Sequence, residues 1–276
     1  MTEIDISQIL KNNDYGLYKK VENIGVGAFG SVYLCEDKKT CRQFAMKTIK
    51  INNPNMDETI CREVLMLAQV EPHDRLVRFY GSKRKKDSLK IFIEYMPQGS
   101  LENFLKTNGP LSESISSKIT KQILEGIEHL HNGNIMHRDI KPANILLSED
   151  QNVKLTDFGL SKYRTDLNEL NMNTSCGTFK YMAPELLYGK MYNKSIDIWS
   201  LGVTLMEMFL GHSIYPKLEG LQFLSEMSKI SFQFDYPGNI SKEARFFLNL
   251  VFIKNPDRRP STVDMKLTKF ILKYNS

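Results

Sequence analysis

The 276-residue chain contains no apolar stretch long enough to cross a bilayer as a helix. Its most apolar region, Ile196 to Leu210, is interrupted by Asp197 and Glu207 and reads as a buried helix. Cysteine is scarce: Cys35, Cys41, Cys61 and Cys176 form no C-x-x-C pair, and no histidine stands near them at zinc-ligand spacing. That excludes a disulfide framework and a zinc ribbon, and it predicts reduced thiols in the nucleus and/or cytoplasm. No internal repeat or low-complexity block occurs. Met1 to Ile6 is acidic and lacks the basic-then-apolar build of a secretory signal, and no myristoylation or prenylation pattern is present. The net charge of +5 is mild, so it reads as a solvated basic surface, with no direct nucleic-acid or membrane partner expected.

The texture changes once along the chain. Residues 1–14 read as a short leader. Tyr18 to Ile24, Ser31 to Cys35, Gln43 to Ile49, Leu76 to Tyr80 and Leu89 to Tyr95 read as strands. Asp57 to Val70 reads as a helix, with Ile60, Val64 and Leu67 on one face. The run Lys83-Arg84-Lys85-Lys86 reads as a solvated hairpin tip, with nuclear import or an acidic partner as the other reading. Beyond Pro97-Gln98-Gly99, Leu101 to Lys106, Glu113 to His131, Ser195 to Leu210 and Lys242 to Ile253 read as helices. Strands first and helices after predict an α+β chain of two lobes joined near residues 94–99.

The chemistry concentrates in two short stretches. His137-Arg138-Asp139-Ile140-Lys141-Pro142-Ala143-Asn144 is followed, thirteen residues beyond Asn144, by Asp157-Phe158-Gly159. Asp139 can accept a proton from an attacking hydroxyl, Lys141 can stabilise charge on a transferring phosphate, and Asn144 with Asp157 offers hard oxygens to magnesium. Gly25-Val26-Gly27-Ala28-Phe29-Gly30 carries a G-x-G-x-x-G spacing that dinucleotide-binding folds share. In those folds the glycines open a helix. Here strand-like sequence lies on both sides, which favours a β-turn-β flap over phosphates. Lys47 follows 17 residues after Gly30, and Glu63 is the candidate carboxylate to pair with it. Glu185 is expected to pair with Arg259, and Asp197 to accept backbone N–H groups of the stretch around Asp139. Two glutamates, one in each half of the chain, are also compatible with glycoside hydrolysis, but nothing else here supports sugar chemistry.

Taken together, these motifs resemble a eukaryotic protein kinase domain, with every principal motif in order over residues 15–271. The resemblance implies a bilobal fold: a small β-rich N-lobe with one main helix (15–93), a hinge (94–99) and a larger helical C-lobe (100–271). It implies ATP and Mg2+ as cofactors, with Asp139, Lys141, Lys47 and Glu63 as catalytic residues and Asn144 and Asp157 as metal ligands. Ile24, Gly25, Val26, Gly27, Ala28, Phe29, Gly30, Ser31, Val32, Ala45, Lys47, Ile93, Glu94, Met96 and Leu146 are the implied nucleotide contacts. Lys141-Pro142 and Gly177-Thr178 are similar to serine/threonine kinases, and Thr178 is implied to contact Asp139 and Lys141. Protein substrates with Ser/Thr acceptors, an upstream kinase or regulatory protein, and a monomer follow from the same resemblance.

Leu76 to Gly81, Phe158 to Ser161, Ser175 to Thr178 and Ala183 to Tyr188 look like the type-one checkpoint kinase of the DNA-damage response. Ser100 and Ala143 depart from it, since arginine-selecting kinases often carry glutamates there. Losing both predicts a weakened preference for arginine-led sites. The same two residues resemble mitogen-activated kinase kinase kinases, the alternative subgroup. Thr174, with Arg138 and Lys162, reads either as a phosphorylation switch or as a plain loop hydroxyl. A catalytically inactive scaffold is a further alternative, as is a small-molecule or lipid kinase. The first is opposed by the complete set of catalytic residues and the second by the segment from Gly177 to Glu185.

Overall fold

Alternation of side chains explains the first half of the chain. In a computed structural model, which describes residues 17–27, 30–51, 64, 67–85, 87–149, 152–158, 178–187, 191–214 and 234–275, residues 1–97 and 98–276 form two compact units. The first holds an antiparallel five-stranded sheet in the order β1-β2-β3-β5-β4. Its strands are β1 (Tyr18–Gly27), β2 (Gly30–Asp37), β3 (Gln43–Lys50), β4 (Phe79–Lys85) and β5 (Ser88–Ile93). The pairings Val32↔Lys47↔Ile91 and Leu34↔Ala45↔Ile93 put these side chains on one face. The opposite face carries Cys35, Phe44, Met46 and Phe92, all at most 2% exposed, beneath Tyr18, Tyr33 and Tyr80. Tyr18 meets the rings of Phe44 and Phe92 edge-on at 5.8 and 5.7 Å.

The fourth strand differs from the sequence reading. Leu76 to Tyr80 was expected to be the strand, with the basic run as a tip. The strand instead starts at Phe79 and carries Ser82 to Lys85 in register against Ile91 to Ser88. Pairing with a central strand outweighs the low β-propensity of three consecutive cations. Of the expected helix from Asp57 to Val70, Val64 and residues 67–69 are helical, Val70 is a bend that ends it, and residues 57–63, 65 and 66 lie outside the described residues.

Serine caps set the helix starts in the second unit. Ser100, Ser112 and Ser241 each accept a backbone N–H at the start of α1 (Leu101–Asn108), α2 (Glu113–Asn132) and α5 (Lys242–Val251). Ser261 and Asp264 form a capping box on α6 (Thr262–Lys266), which α7 (Lys269–Leu272) follows. Between α2 and α5 lie a two-stranded ribbon, β6 (Ile145–Leu147) with β7 (Val153–Leu155), the short α3 (Pro184–Leu187) and α4 (Ser195–Leu210). Residues 196–209 of α4 are buried without a break, because it packs against α2 and α5 and forms the centre of this unit. Gly211 ends α4 in a left-handed conformation (φ 73°) and donates its N–H to the Glu207 carbonyl. Among the described residues no helix is long and apolar enough to cross a membrane.

Candidate active site

The β6–β7 ribbon brings the two chemical stretches together. Ile145 pairs with Leu155, so the chain entering β6 and the chain leaving β7 lie at the same end of the ribbon. Thr156 N donates to Asn144 O at 3.0 Å and ties the residue before Asp157 to Asn144. Sequence distance is thereby converted into adjacency of the two candidate metal-binding residues.

Asp139 is 5% exposed. Its Oδ2 accepts from Asn144 Nδ2 at 2.7 Å, and its Oδ1 lies 3.0 Å from Lys141 Nζ. Asn144 Nδ2 also donates to Asp139 O at 2.9 Å. These bonds orient the amide so that Asn144 Oδ1 is the atom it can offer a cation. With the Asp157 carboxylate this makes a small set of hard oxygens, which suits magnesium that takes its remaining ligands from phosphates and water.

The loop's shape is held from beneath. Arg138 and Asp157 adopt left-handed backbone conformations (φ 65° and 62°), which cost non-glycine residues about 1–3 kcal/mol each. Asp197, completely buried, accepts from His137 N at 2.9 Å and Arg138 N at 2.7 Å, as the sequence led us to expect, and from His131 Nε2 at 2.8 Å. Burial pushes the Asp197 carboxyl up, but the His131 bond and charge and the backbone N–H groups outweigh it, and its pKa lies below the usual 3.8.

Asp139 N donates to His137 Nδ1 at 3.3 Å, so the neutral ring carries its proton on Nε2. His137 is fully buried, edge-on to Phe158 at 6.2 Å, and burial holds its pKa below 6.5 despite the nearby carboxylates. The unfolded chain therefore takes up a proton that the folded chain refuses as pH falls below 6.5. Stability is full above that pH and declines below it, by at most about 1.4 kcal/mol per pH unit. Urea midpoints measured from pH 7.5 downward test this, and His137→Phe is expected to flatten the acid-side fall.

In the first unit, Val32, Ala45, Lys47 and Ile93 share one face of the sheet by register, as a nucleotide-facing surface requires. Lys47 is 8% exposed there. Ile24, Gly25, Val26 and Gly27 lie on β1, and Gly30, Ser31 and Val32 on β2, with Gly27 opposite Gly30 at the hairpin end. A Cβ on Gly30 (φ 148°) would fall 1.8 Å from the Thr48 carbonyl oxygen, so only glycine fits where the flap leaves the sheet. Glu94 N donates to Arg78 O at 2.9 Å. Met96 is buried just beyond. Leu146 lies in the second unit, on β6 and bridged to Ser100. Ala28, Phe29, Glu63, Gly159, Lys162, Thr174 and Gly177 lie outside the described residues, as does the Thr178 side chain.

Sequence reasoning missed Tyr181 and Glu207. Tyr181 Oη donates to Glu207 Oε2 at 2.7 Å, and Ile214 N donates to Glu207 Oε1 at 3.0 Å. Both side chains line a cavity of about 280 Å³ with Glu102, Lys141, Pro142 and Ala143. A glutamate interrupting an otherwise apolar helix was the available signal. Burial raises the Glu207 pKa. Glu185 and Arg259 meet as expected, with bonds of 2.8 and 3.2 Å between the guanidinium and both carboxylate oxygens.

A two-unit chain with a β-sheet first, helices after, and this loop geometry is the protein kinase fold. The sequence matches the protein kinase domain family over residues 18–271, and the chain belongs to that family. It is similar to Mitogen-activated protein kinase kinase kinase 3 of Homo sapiens, with 37% identity over 258 residues, covering 90% of this chain and 41% of that protein. It is similar also to Mitogen-activated protein kinase kinase kinase 5 of Arabidopsis thaliana, with 35% identity over 270 residues, covering 93% of this chain and 37% of that protein. Ovarian-specific serine/threonine-protein kinase Lok of Drosophila melanogaster is 34% identical over 271 residues, covering 92% of this chain and 56% of that protein. The chain thus spans about two fifths of the first of these relatives (41%). The class defined by fold and family is a serine/threonine protein kinase.

Proposed function

We propose that this domain transfers phosphate from Mg-ATP to serine or threonine hydroxyls of a downstream kinase, as a mitogen-activated kinase kinase kinase does. The observation that carries the reading is the 37% identity over 258 residues to a kinase of that name, which agrees with Ser100 and Ala143. It takes the place of the checkpoint reading, which none of the three relatives described supports by name. ATP supplies the transferable phosphoryl group and magnesium neutralises its charge. The chain's own residues do the rest. Asp139 orients the acceptor hydroxyl and takes its proton as the new O–P bond forms and the bond to the departing ADP breaks. Lys141, 3.0 Å from that carboxylate, balances the charge that develops. Asn144 and Asp157 would hold the cation, and Lys47 the phosphates.

Substrate choice follows from the same region. Ser100 is occupied as the cap of α1, Glu102 pairs with Lys106 at 2.9 Å, and Glu207 already accepts two donors. The reading is therefore of weak attraction for arginine-led peptides. A cytoplasmic or nuclear setting rests on thiol usage alone. The test incubates the purified chain and Mg-ATP with catalytically inactive mitogen-activated kinase kinases and, separately, with arginine-led peptides. Transfer to the kinases on Ser/Thr is expected. Efficient transfer to the peptides alone would return the domain to the checkpoint class.

A further inference from the structure

The basic run that reads as a hairpin tip is in fact part of a sheet face. By register, Lys83 on β4, Lys90 on β5 and Thr48 on β3 form one row, and Lys85, Ser88 and Lys50 form the next. Lys20 lies on the same face, in the row of Cys35 and Phe44, and Arg42 precedes β3 on that side. Among the described strand residues the only carboxylate on this face is Asp37. Its Oδ1 is occupied by Lys39 N, Thr40 N and Thr40 Oγ1. The other face pairs its charges, as Lys19 with Glu36 at 2.9 Å shows.

This segregation works against the fold. Lys83 and Lys90 are direct cross-strand partners, and like charges in that relation destabilise a sheet. The cations are also held in place. Lys20 Nζ sits 3.5 Å above the Tyr33 ring. Arg42 Nη2 donates to Tyr80 Oη at 3.0 Å, and Lys90 Nζ to Tyr18 Oη at 2.7 Å. A plain solvated surface needs neither the clustering nor the anchoring.

We propose that this face is a docking surface for an acidic, extended segment of a partner protein. Charge complementarity names the chemistry: cations on β1, β3, β5 and β4, reaching across the sheet for about 19 Å at 4.8 Å spacing, with Lys20, Arg42 and Lys90 held in place, match a carboxylate-rich peptide laid across them. Single-stranded nucleic acid fits less well, because the rings that would stack bases are capped by cations or packed edge-on. A bilayer fits less well, because Phe44, Met46 and Phe92 are buried under the tyrosines.

The test measures anisotropy of a fluorescein-labelled Asp/Glu-rich peptide with the whole chain at physiological salt. Lys20→Glu combined with Lys83→Glu is expected to weaken binding by about tenfold or more. Lys83→Glu also gives Lys90 an opposite charge across the strands, so the variant keeps its fold, and its transfer to a generic substrate stays unchanged. Lys118→Glu combined with Lys242→Glu, the same change in net charge on α2 and α5, is expected to alter affinity by less than about twofold. Equal loss in both variants would reduce the effect to net charge and overturn the proposal. Tighter binding of a single-stranded RNA oligonucleotide or of phosphatidylserine vesicles, with the same dependence on Lys20 and Lys83, would overturn it in favour of those partners.

Discussion

Asp139→Asn is expected to lower kcat for phosphoryl transfer by about 10³-fold, inside the range of about 10²–10⁴ for a positioned acid–base group. The substitution removes charge and keeps shape. The amide that replaces the carboxylate offers one oxygen where two served before, so Lys141 and Asn144 compete for it. The loop itself still hangs from Asp197 through His137 N and Arg138 N, and folding is expected to change little. ATP affinity, measured by calorimetry without an acceptor, should fall far less than kcat. A variant that retains transfer within about tenfold of the parent would remove Asp139 from the reaction.

The second large effect is on stability. Arg259→Ala is expected to cost about 3–5 kcal/mol, because it strands the Glu185 carboxylate, which is 4% exposed. The guanidinium also donates to Ile253 O at 3.0 Å and Ser195 O at 2.9 Å, so two carbonyls lose their donor together with the carboxylate. It lies 5.1 Å from the Trp199 ring, whose packing loosens with it. Such a loss is a large part of a typical total of about 5–15 kcal/mol, and the expected fall in Tm is about 10 °C. Arg259→Lys should recover only part, since an ammonium cannot replace a two-pronged donor. The double change Arg259→Met with Glu185→Leu should be much closer to neutral than Arg259→Ala, because no charge is left buried. A single change costing under about 1 kcal/mol would show that Glu185 finds water or another donor.

Much of this molecule is legible where local chemistry is strict. The serine-capped helices and the alternation in β3 follow from rules that act over a few residues. The partners of Asp197 and Arg259 follow from the need of a buried charge for a counterpart. The misreadings occur where a distant neighbour decides. Lys83 to Lys85 carry the signature of a tip, and only the register against β5 makes them a strand. Glu207 reads as a breach in an apolar helix, and only Tyr181 and Ile214 give it a purpose. Ser100 reads as a lost substrate contact, yet its hydroxyl also starts α1. The left-handed turns at Arg138 and Asp157 leave no trace in composition, since neither residue is glycine.

Because Asp197 grips peptide nitrogens, the loop carrying Asp139 is suspended by its main chain. Position 138 can therefore exchange its side chain, proline and branched residues excepted, without displacing the acid beside it.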